Sequence, residues 1–265
     1  MLNVLITGAA SGIGDAVKEY FINNNHQVYA IDVSKINESD NLNTYQCDIT
    51  NQTELLKIKS ELENKQIKLD AIINIAGIHM MMSLVENDYV KMKRLIDINL
   101  CGTMLINNTF HSLLKAEGRI IIVSSEVAGL DPMPFNGLYN VSKTALDSYA
   151  QALRQELNLI NQKVITIKPG AIATPLCYSS VDATNELAKT TKLYQKQAKH
   201  FSNIMLKFMG RPIKPEKIAK IIFFATTKKR PKLVYKKHHN LGLILLNVLP
   251  KRLQCKIIKL LLNRK

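Results

Sequence analysis

Apolar and polar positions along the first 170 residues follow two alternating patterns. Mainly apolar runs, which are typical of strands buried on both faces, lie at 2–7, 27–33, 70–75, 119–124 and 164–168, and a further strand is predicted at 44–47. Stretches with helical spacing or helix-forming polar composition lie between them at 13–21, 53–64, 86–115 and 137–161. Strands that alternate with helices predict an α/β fold, a doubly wound parallel sheet with helices on both faces.

The pattern changes beyond this region. A run at 232–235 predicts the last strand of the sheet, and two further apolar stretches follow at 241–249 and 253–262, separated by Pro250. The chain shows no internal repeat and no low-complexity linker. We therefore predict one folded unit over 1–235 that carries a C-terminal helical extension over 236–265.

The net charge of +15 is concentrated towards this extension. Residues 1–216 contain 22 Lys and Arg against 21 Asp and Glu, whereas residues 217–265 contain 14 Lys and Arg and no acidic residue. Basic residues interleaved with apolar ones are typical of a helix that lies on an anionic membrane surface. A lid or packing helix with a solvated basic face is the second interpretation. Nucleic acid is the least favoured partner, because the extension offers no aromatic stacking platform.

Composition limits the class of protein further. With 46% apolar residues, the chain can bury a sizeable core. Its four cysteines are far apart and form no C-x-x-C pair, which predicts free thiols in a reducing compartment and argues against a bound metal. The apolar start has no basic leader, and the apolar stretches are too short to span a bilayer. We expect a cytoplasmic protein, with peripheral membrane attachment if the extension binds lipid.

A glycine-rich turn joins the first predicted strand to the first helix. Gly8, Gly12 and Gly14 follow the spacing G-x-x-x-G-x-G, with Ser11 and Ile13 between the glycines. Glycines allow backbone N–H groups to approach a phosphate, and the helix N-terminus adds the positive end of its dipole. The turn therefore predicts a dinucleotide-binding site, with a plain strand-to-helix turn as the alternative.

Asp32 lies at the end of the second predicted strand, 18 residues after Gly14. A carboxylate at this position accepts hydrogen bonds from the adenosine ribose and repels a 2′-phosphate. The glycine turn contains no basic residue, and Lys35 is the only nearby cation. These features favour NAD, with NADP as the alternative; an ordinary aspartate at a strand end is the structural interpretation.

Two tyrosine–lysine pairs occur at i,i+4, and their surroundings differ. Tyr139 and Lys143 share one face of a predicted helix that follows a strand ending in two serines. That position is the carboxyl edge of the sheet, where doubly wound folds bind ligands. No such strand precedes Tyr89 and Lys93, and we interpret that second pair as part of a surface helix.

In this order, the motifs resemble those of the short-chain dehydrogenase/reductase family over about residues 2–230. The resemblance implies a Rossmann fold that binds a nicotinamide dinucleotide. It assigns the adenine contact to Asp48 and the nicotinamide carboxamide to Thr174. The segment with Asn74, Ala76 and Gly77 matches the family's N-N-A-G, with isoleucine in place of the second asparagine. The same comparison adds Ile49, Pro169, Gly170 and Ile172 to the cofactor site.

The resemblance also implies a catalytic set, formed by Asn99, Ser125, Tyr139 and Lys143. Tyr139 is expected to take the proton of an alcohol, or to give one to a carbonyl, while hydride passes to or from the cofactor. Lys143 and the positive nicotinamide lower the pKa of this phenol, Ser125 holds the substrate oxygen, and Asn99 holds a water. Ser125 precedes Tyr139 by 14 residues, one more than is usual in the family, so Ser124 stays as an alternative.

Two segments are expected to line the substrate side. The first, 78–84, contains Met80–Met82, and the second, 171–210, offers a helical face that contains Phe201, Met205, Phe208 and Met209. Methionine adapts to irregular apolar ligands, so we predict a lipophilic alcohol or ketone such as a steroid, a retinoid or another lipid. Core packing is the alternative for both segments. His79 is expected at the pocket edge or the surface rather than in catalysis.

A second class of function is compatible with this fold. A protein could bind the dinucleotide as a sensor or scaffold without turnover, and the filled catalytic positions favour the enzyme over this alternative. The resemblance also implies a homodimer or homotetramer that pairs through the helices at 86–115 and 137–161.

Overall fold

The computed structural model describes residues 1–209 and 211–263, except for the side chains of Val181 and residues 206–209. The strands are β1 (Asn3–Thr7), β2 (Gln27–Asp32), β3 (Leu42–Gln46), β4 (Leu69–Asn74), β5 (Leu114–Val123), β6 (Lys163–Pro169) and β7 (Val234–Lys237). The α-helices are α1 (Gly12–Ile22), α2 (Gln52–Asn64), α3 (Tyr89–Ile96), α4 (Thr103–Phe110), α5 (Gly137–Asn158), α6 (Pro175–Thr190), α7 (Gln195–Met209), α8 (Pro215–Thr227), α9 (Leu241–Val248) and α10 (Lys251–Leu262).

The seven strands form one parallel sheet in the order β3-β2-β1-β4-β5-β6-β7. The strand order changes direction between β1 and β4, and the loops after these two strands leave the same edge of the sheet. A crevice forms at such a point in doubly wound folds. The predicted fold class, a doubly wound parallel sheet, is therefore confirmed.

Two apolar layers enclose the sheet because successive side chains of a strand point to opposite faces. Val4 and Ile6 pack on one face with residues of α1 and α8, such as Phe21. Leu5 packs on the other face with residues of α2, α4 and α5, such as Phe110. This burial on both sides explains why the strands appear in the sequence as continuous apolar runs.

The predicted helix at 86–115 is divided in the structure. Helix α3 ends at Ile96, a π-helical turn covers Asp97–Gly102, and α4 ends at Phe110. Leu114 then starts β5, where it pairs with Leu69 ahead of an irregularity in the register. The helical pattern therefore ends early, because the chain extends at this point to join the sheet.

The C-terminal extension packs against the body of the protein. The predicted boundary at 235/236 lies inside β7, so the start of the extension belongs to the sheet. At its far end, Leu262 is buried in a third apolar cluster with Phe135 and Phe201. Within residues 1–209 and 211–263, no helix combines the length and apolar character needed to cross a bilayer.

Candidate active site

The glycine turn is closely packed in a way that only glycines allow. Gly8 has φ +70°, and a Cβ atom on it would lie 2.7 Å from the Ala76 backbone. A Cβ on Gly14 would lie 1.9 Å from the carbonyl oxygen of Gly8. The turn therefore brings the end of β1, the start of α1 and the loop after β4 together, with the N-terminus of α1 facing this junction. Such a junction fits a dinucleotide phosphate.

Asp32 is held at the mouth of this turn. Its Oδ2 accepts a hydrogen bond from the Ala10 backbone N–H at 3.0 Å, and its Oδ1 accepts one from Ser34 at 2.8 Å. The two bonds fix the carboxylate beside the turn, where it lines the cavity. This is the position that the recognition of a ribose requires.

Asp48 contacts a residue that the sequence analysis did not assign, Arg94 of α3. The guanidinium donates to Asp48 Oδ2 at 2.6 Å, and the Thr50 hydroxyl donates to Asp48 Oδ1 at 2.7 Å. Burial acts to raise the pKa of Asp48, but the hydrogen bonds from Arg94 and Thr50 prevail and lower it. Asp48 is therefore an ionised acceptor next to the cavity.

One cavity of about 610 Å³ connects the glycine turn to the tyrosine–lysine pair. Most of the predicted cofactor residues line it: Gly8, Ser11, Gly12, Ile13, Asp32, Asp48, Ile49, Ala76, Gly77, Tyr139, Lys143, Pro169, Gly170, Ile172 and Thr174. Gly14 and Asn74 do not line it. Gly14 packs against the backbone of Gly8 inside the turn. Asn74 is buried outside the cavity wall, where its amide donates to Asn107 Oδ1 at 2.8 Å. These two residues act on the site through the backbone they support.

Asn99 also lies behind the cavity wall, inside the π-helical turn. It is fully buried, and its Oδ1 accepts from the Ile78 N–H at 2.8 Å, while its Nδ2 donates to the Ile78 carbonyl at 2.9 Å and to Ser142 Oγ at 3.1 Å. A Cβ on Gly77 would meet both Asn99 Oδ1 and Lys143 Nζ, at 3.2 and 3.5 Å. Asn99 therefore fixes the loop after β4 close to the lysine. π-Helical turns often occur at functional sites.

Tyr139 and Lys143 occupy successive turns at the start of α5. Lys143 is 95% buried, its Nζ lies 5.8 Å from the centre of the Tyr139 ring, and it donates to the Val123 carbonyl at 3.4 Å. The Ser125 hydroxyl forms a hydrogen bond with the Tyr139 phenol. Ser124 points elsewhere, because its hydroxyl donates to the Lys143 carbonyl at 3.2 Å. The geometry thus brings together Ser125, Tyr139 and Lys143 and leaves Ser124 in a supporting position.

Burial controls the ionisation of this pair in the protein. It raises the pKa of Tyr139 to about 12, although the hydrogen bond with Ser125 acts to lower it. Burial also lowers the pKa of Lys143 to about 8. The sequence analysis attributed a lowered phenol pKa to Lys143 and the nicotinamide charge together. In the protein alone, desolvation is the largest influence on the pKa of each group and favours its neutral form.

We expect the initial rate of alcohol oxidation to rise with pH between about pH 6 and pH 10. Tyr139 must lose its proton before it can accept one, and its raised pKa keeps it protonated at neutral pH. Carbonyl reduction uses the protonated phenol, so its rate should not show this rise. Initial-rate pH profiles in the two directions provide the measurement. An oxidation rate that falls between about pH 6 and pH 8, where Lys143 still carries its charge, would contradict the role of Tyr139 as the base.

His79 is more central than the sequence analysis expected. Its ring packs edge-on against Tyr139 with 4.4 Å between ring centres, and its Nε2 lies 2.9 Å from Asn136 Oδ1. Burial lowers the pKa of His79 to about 4, so the imidazole is neutral at pH 7. Because Asn99 anchors the adjoining Ile78, the π-helical turn also holds this ring against the tyrosine. The sequence offered only one signal, the position of His79 two residues after Gly77.

The second tyrosine–lysine pair lies on the surface. Tyr89 is 74% exposed at the start of α3, and Lys93 pairs with Asp97 at 2.6 Å. Neither residue lines the cavity. This pair offers a natural control for experiments on Tyr139.

The predicted substrate segments differ in their placement. Met80–Met82 do not line the cavity; Met81 and Met82 are buried, so core packing is the interpretation that fits this segment. In the second segment, Phe201 and Met205 line the cavity. The side chains of Phe208 and Met209 lie outside the described residues.

Helix α9 also contributes to the cavity. The sequence analysis considered a lid or packing helix as one of three interpretations of the extension. Leu243 and Asn240 both line the cavity. The Asn240 N–H donates to the carboxylate of Glu126, the residue that follows Ser125. Burial raises the pKa of Glu126. The extension is thus attached directly beside the predicted catalytic serine.

Comparison with known proteins agrees with this geometry. The sequence pattern of the short chain dehydrogenase family matches residues 2–185. The chain is similar to the short-chain dehydrogenase srdE of Neurospora crassa, with 31% identity over 176 residues that cover 64% of this chain and 61% of that protein. It is also similar to the NADPH-dependent 1-acyldihydroxyacetone phosphate reductase of Schizosaccharomyces pombe, with 31% identity over 193 residues that cover 70% and 64%. The matched region is less than two thirds of the length of either relative.

Solved structures show the same fold. A short chain dehydrogenase family protein from Francisella tularensis superposes with a TM-score of 0.74 at 24% identity, covering 89% of this chain and 96% of that one. The 3-ketoacyl-(acyl-carrier-protein) reductase from Brucella melitensis, complexed with NADH, superposes with a TM-score of 0.73 at 22% identity, covering 90% of this chain and 97% of that one. Because the family pattern covers more than half of the chain, this protein belongs to the short-chain dehydrogenase/reductase family.

Proposed function

We propose that this protein is a NAD-dependent oxidoreductase that interconverts a lipophilic secondary alcohol and the corresponding ketone, or an alcohol and an aldehyde. The observation that carries the proposal is the meeting of Ser125, Tyr139 and Lys143 in the same cavity as the glycine turn. When bound, the dinucleotide supplies the hydride acceptor or donor. The residues of this chain supply proton transfer and positioning.

Each residue has a distinct part in this chemistry. Tyr139 accepts the proton of the alcohol, or donates its own to the carbonyl oxygen. Ser125, already hydrogen-bonded to the phenol, places the same oxygen within reach. Lys143 stabilises the phenolate as a buried cation when it is protonated. Asn99 acts as a positioning residue through the Ile78 backbone.

NAD is proposed over NADP because of Asp32. Its fixed carboxylate lines the cavity beside Val33 and Ser34, where a 2′-phosphate would add negative charge. Relatives use both cofactors: the Schizosaccharomyces enzyme is NADPH-dependent, and the Brucella structure contains NADH. The charge at this position is therefore the basis for the choice.

We expect the double substitution Asp32→Ala, Val33→Arg to shift preference towards NADPH by about tenfold or more. The double substitution removes the repulsive carboxylate and adds a cation at position 33, where the Val33 side chain is 65% exposed. Dissociation constants for NADH and NADPH measure the shift. Val33→Arg alone serves as the control, because it adds the cation and keeps the carboxylate. Tighter binding of NADPH than of NADH by the unsubstituted protein would refute this assignment.

The proposed substrate is neutral as well as lipophilic. Apolar side chains line the cavity beyond Tyr139: Leu130, Met133, Phe201, Ile204, Met205 and Leu243. Among the described residues of the lining, Arg94 and Lys143 are the only Lys or Arg side chains, and Arg94 pairs with Asp48. The same lining contains the carboxylates of Glu126 and Asp131. A phosphorylated or otherwise anionic substrate would therefore find no unpaired Lys or Arg side chain in the described lining apart from Lys143.

A substrate screen tests the function directly. Hydroxysteroids, retinol and long-chain secondary alcohols are compared with phosphate-bearing alcohols, each with NAD and NADP, by following cofactor absorbance. Turnover of the neutral lipophilic compounds is expected, with little or none of the phosphorylated ones. Measurable NADH binding without any turnover would instead support the sensor or scaffold alternative. The homo-oligomeric state and the cytoplasmic location remain predictions.

A further inference from the structure

The C-terminal helices present a defined outer surface because their inner side is fixed to the protein. Gln254 of α10 is buried, and its amide donates to Asp131 Oδ2 at 2.9 Å. Lys251 forms an ion pair with the same aspartate. With Leu262 buried in the third apolar cluster, these contacts set the orientation of α10.

The outer face of α9 is apolar. Leu241, Ile244, Leu245 and Val248 stand at i, i+3, i+4 and i+7 and are 73%, 37%, 69% and 78% exposed. No residue of α9 is classed as buried. A row of large apolar side chains exposed in this way marks a contact surface.

Helix α10 follows this row in the chain and exposes basic side chains. Arg252, Lys256 and Lys259 are exposed, and none forms an ion pair with another residue of the part that the structure describes. Leu253 and Leu260 of the same helix are also exposed, at 43% and 62%. The exposed residues of the two consecutive helices, named together the α9–α10 face, are therefore both apolar and cationic.

We propose that the α9–α10 face docks on an anionic lipid surface, with the apolar row entering the interface and the cations meeting lipid head groups. This partner has the chemistry that both halves of the face require. A second copy of this chain fits less well, because a symmetric contact would oppose two cationic patches. The surrounding sequence adds no compensating acid, since residues 217–265 contain none.

Docking would place the cavity at the membrane. Leu243, on the same helix as the apolar row, lines the cavity, so the helix that contacts lipid is also part of the cavity wall. A lipophilic substrate could then enter from the interface. Docking itself does not depend on the proposed activity, and vesicle binding is measured without substrate.

The test is sedimentation of the full chain with vesicles of phosphatidylcholine alone and of phosphatidylcholine with about 30% phosphatidylserine. We expect binding to the anionic vesicles that weakens between about 0.1 M and 0.5 M salt. Arg252→Gln, Lys256→Gln, Lys259→Gln should lower the partition coefficient roughly 100-fold. Leu241→Ser, Leu245→Ser, Val248→Ser should lower it at least about tenfold. Substitution is preferred to truncation, because truncation would open the third apolar cluster.

Matched variants test whether the position of these side chains matters. Lys57→Gln, Lys68→Gln, Lys91→Gln removes the same charge elsewhere, and Val90→Ser, Leu159→Ser, Leu193→Ser removes equally exposed apolar groups. Both controls should bind vesicles like the unsubstituted chain, and thermal unfolding should show that all four variants are folded. The proposal would be overturned if the control variants lost vesicle binding to the same extent. It would also be overturned if the full chain did not bind anionic vesicles. A dimer that the α9 substitutions dissociate, without vesicle binding, would overturn it in favour of a second copy.

Discussion

Tyr139→Phe is expected to lower kcat for alcohol oxidation by about a thousandfold and to leave the fold intact. The substitution removes only the hydroxyl, which is the group that hydrogen-bonds Ser125 and exchanges the proton. The ring remains to pack against His79, so thermal unfolding should change little. Steady-state kinetics on a substrate identified by the screen provide the measurement, and NADH titration should show that the dinucleotide still binds.

Tyr89→Phe is the control for this experiment. Tyr89 also precedes a lysine by four positions, but its side chain is 74% exposed and away from the cavity. We expect unchanged kinetics for this variant. If Tyr89→Phe impaired turnover and Tyr139→Phe did not, the catalytic assignment would be wrong.

Gly8→Ala is expected to destabilise the protein by about 3 kcal/mol and to weaken dinucleotide binding at least tenfold. Two effects combine at this residue. The backbone has φ +70°, which an L side chain adopts at a cost, and the new Cβ would lie 2.7 Å from the Ala76 backbone. Relief of that contact would separate the ends of β1 and β4, where the dinucleotide is expected to lie. Thermal unfolding and NADH fluorescence titration measure the two consequences.

Gly129→Ala separates these two effects. Gly129 has φ +83°, but no heavy atom of the described residues, apart from Gly129 and its two chain neighbours, lies within 4 Å of the position of its Cβ. This variant should lose only about 1 kcal/mol, from the backbone conformation alone, and should bind NADH normally. Equal losses in the two variants would show that the close approach to Ala76 is unimportant.

The sequence predicted the central strands well because their environment leaves a simple pattern. The bounds of β1, β2, β4 and β6 agree with the structure to within one residue at each end. Each of these strands is covered on both faces, so its apolar residues are consecutive and its limits are sharp. The pattern failed at β5, whose first two residues, Leu114 and Lys115, were assigned to the predicted helix at 86–115. The pairing of Leu114 with Leu69, 45 positions away, starts the strand there, and local periodicity does not report such a contact.

The candidate site shows the same contrast between local sequence patterns and long-range contacts. Residues that belong to local motifs, such as Gly8, Ser11, Gly12 and Ile13 of the glycine turn, were predicted and line the cavity. Arg94 and Leu243 were not assigned to it, because each reaches the cavity from an element whose position depends on the tertiary fold. His79 was placed at the pocket edge or the surface, whereas its ring packs against Tyr139. Met80–Met82 were assigned to the substrate side as one of two interpretations, yet the turn of the chain after Gly77 directs Met81 and Met82 into the core. Composition identified an adaptable apolar segment, but not the direction in which it faces.

The contribution of Leu243 to the cavity has a consequence for biosynthesis. The glycine turn leaves the ribosome well before Leu243, so the strands around the turn can begin to pair while the following part of the chain is still being made. Leu243 comes last in sequence among the described residues that line the cavity, and Asn240, which binds Glu126, comes shortly before it. The half of the cavity around the glycine turn can therefore form during translation. The half beyond Tyr139 becomes enclosed only when nearly all of the chain described here has been synthesised.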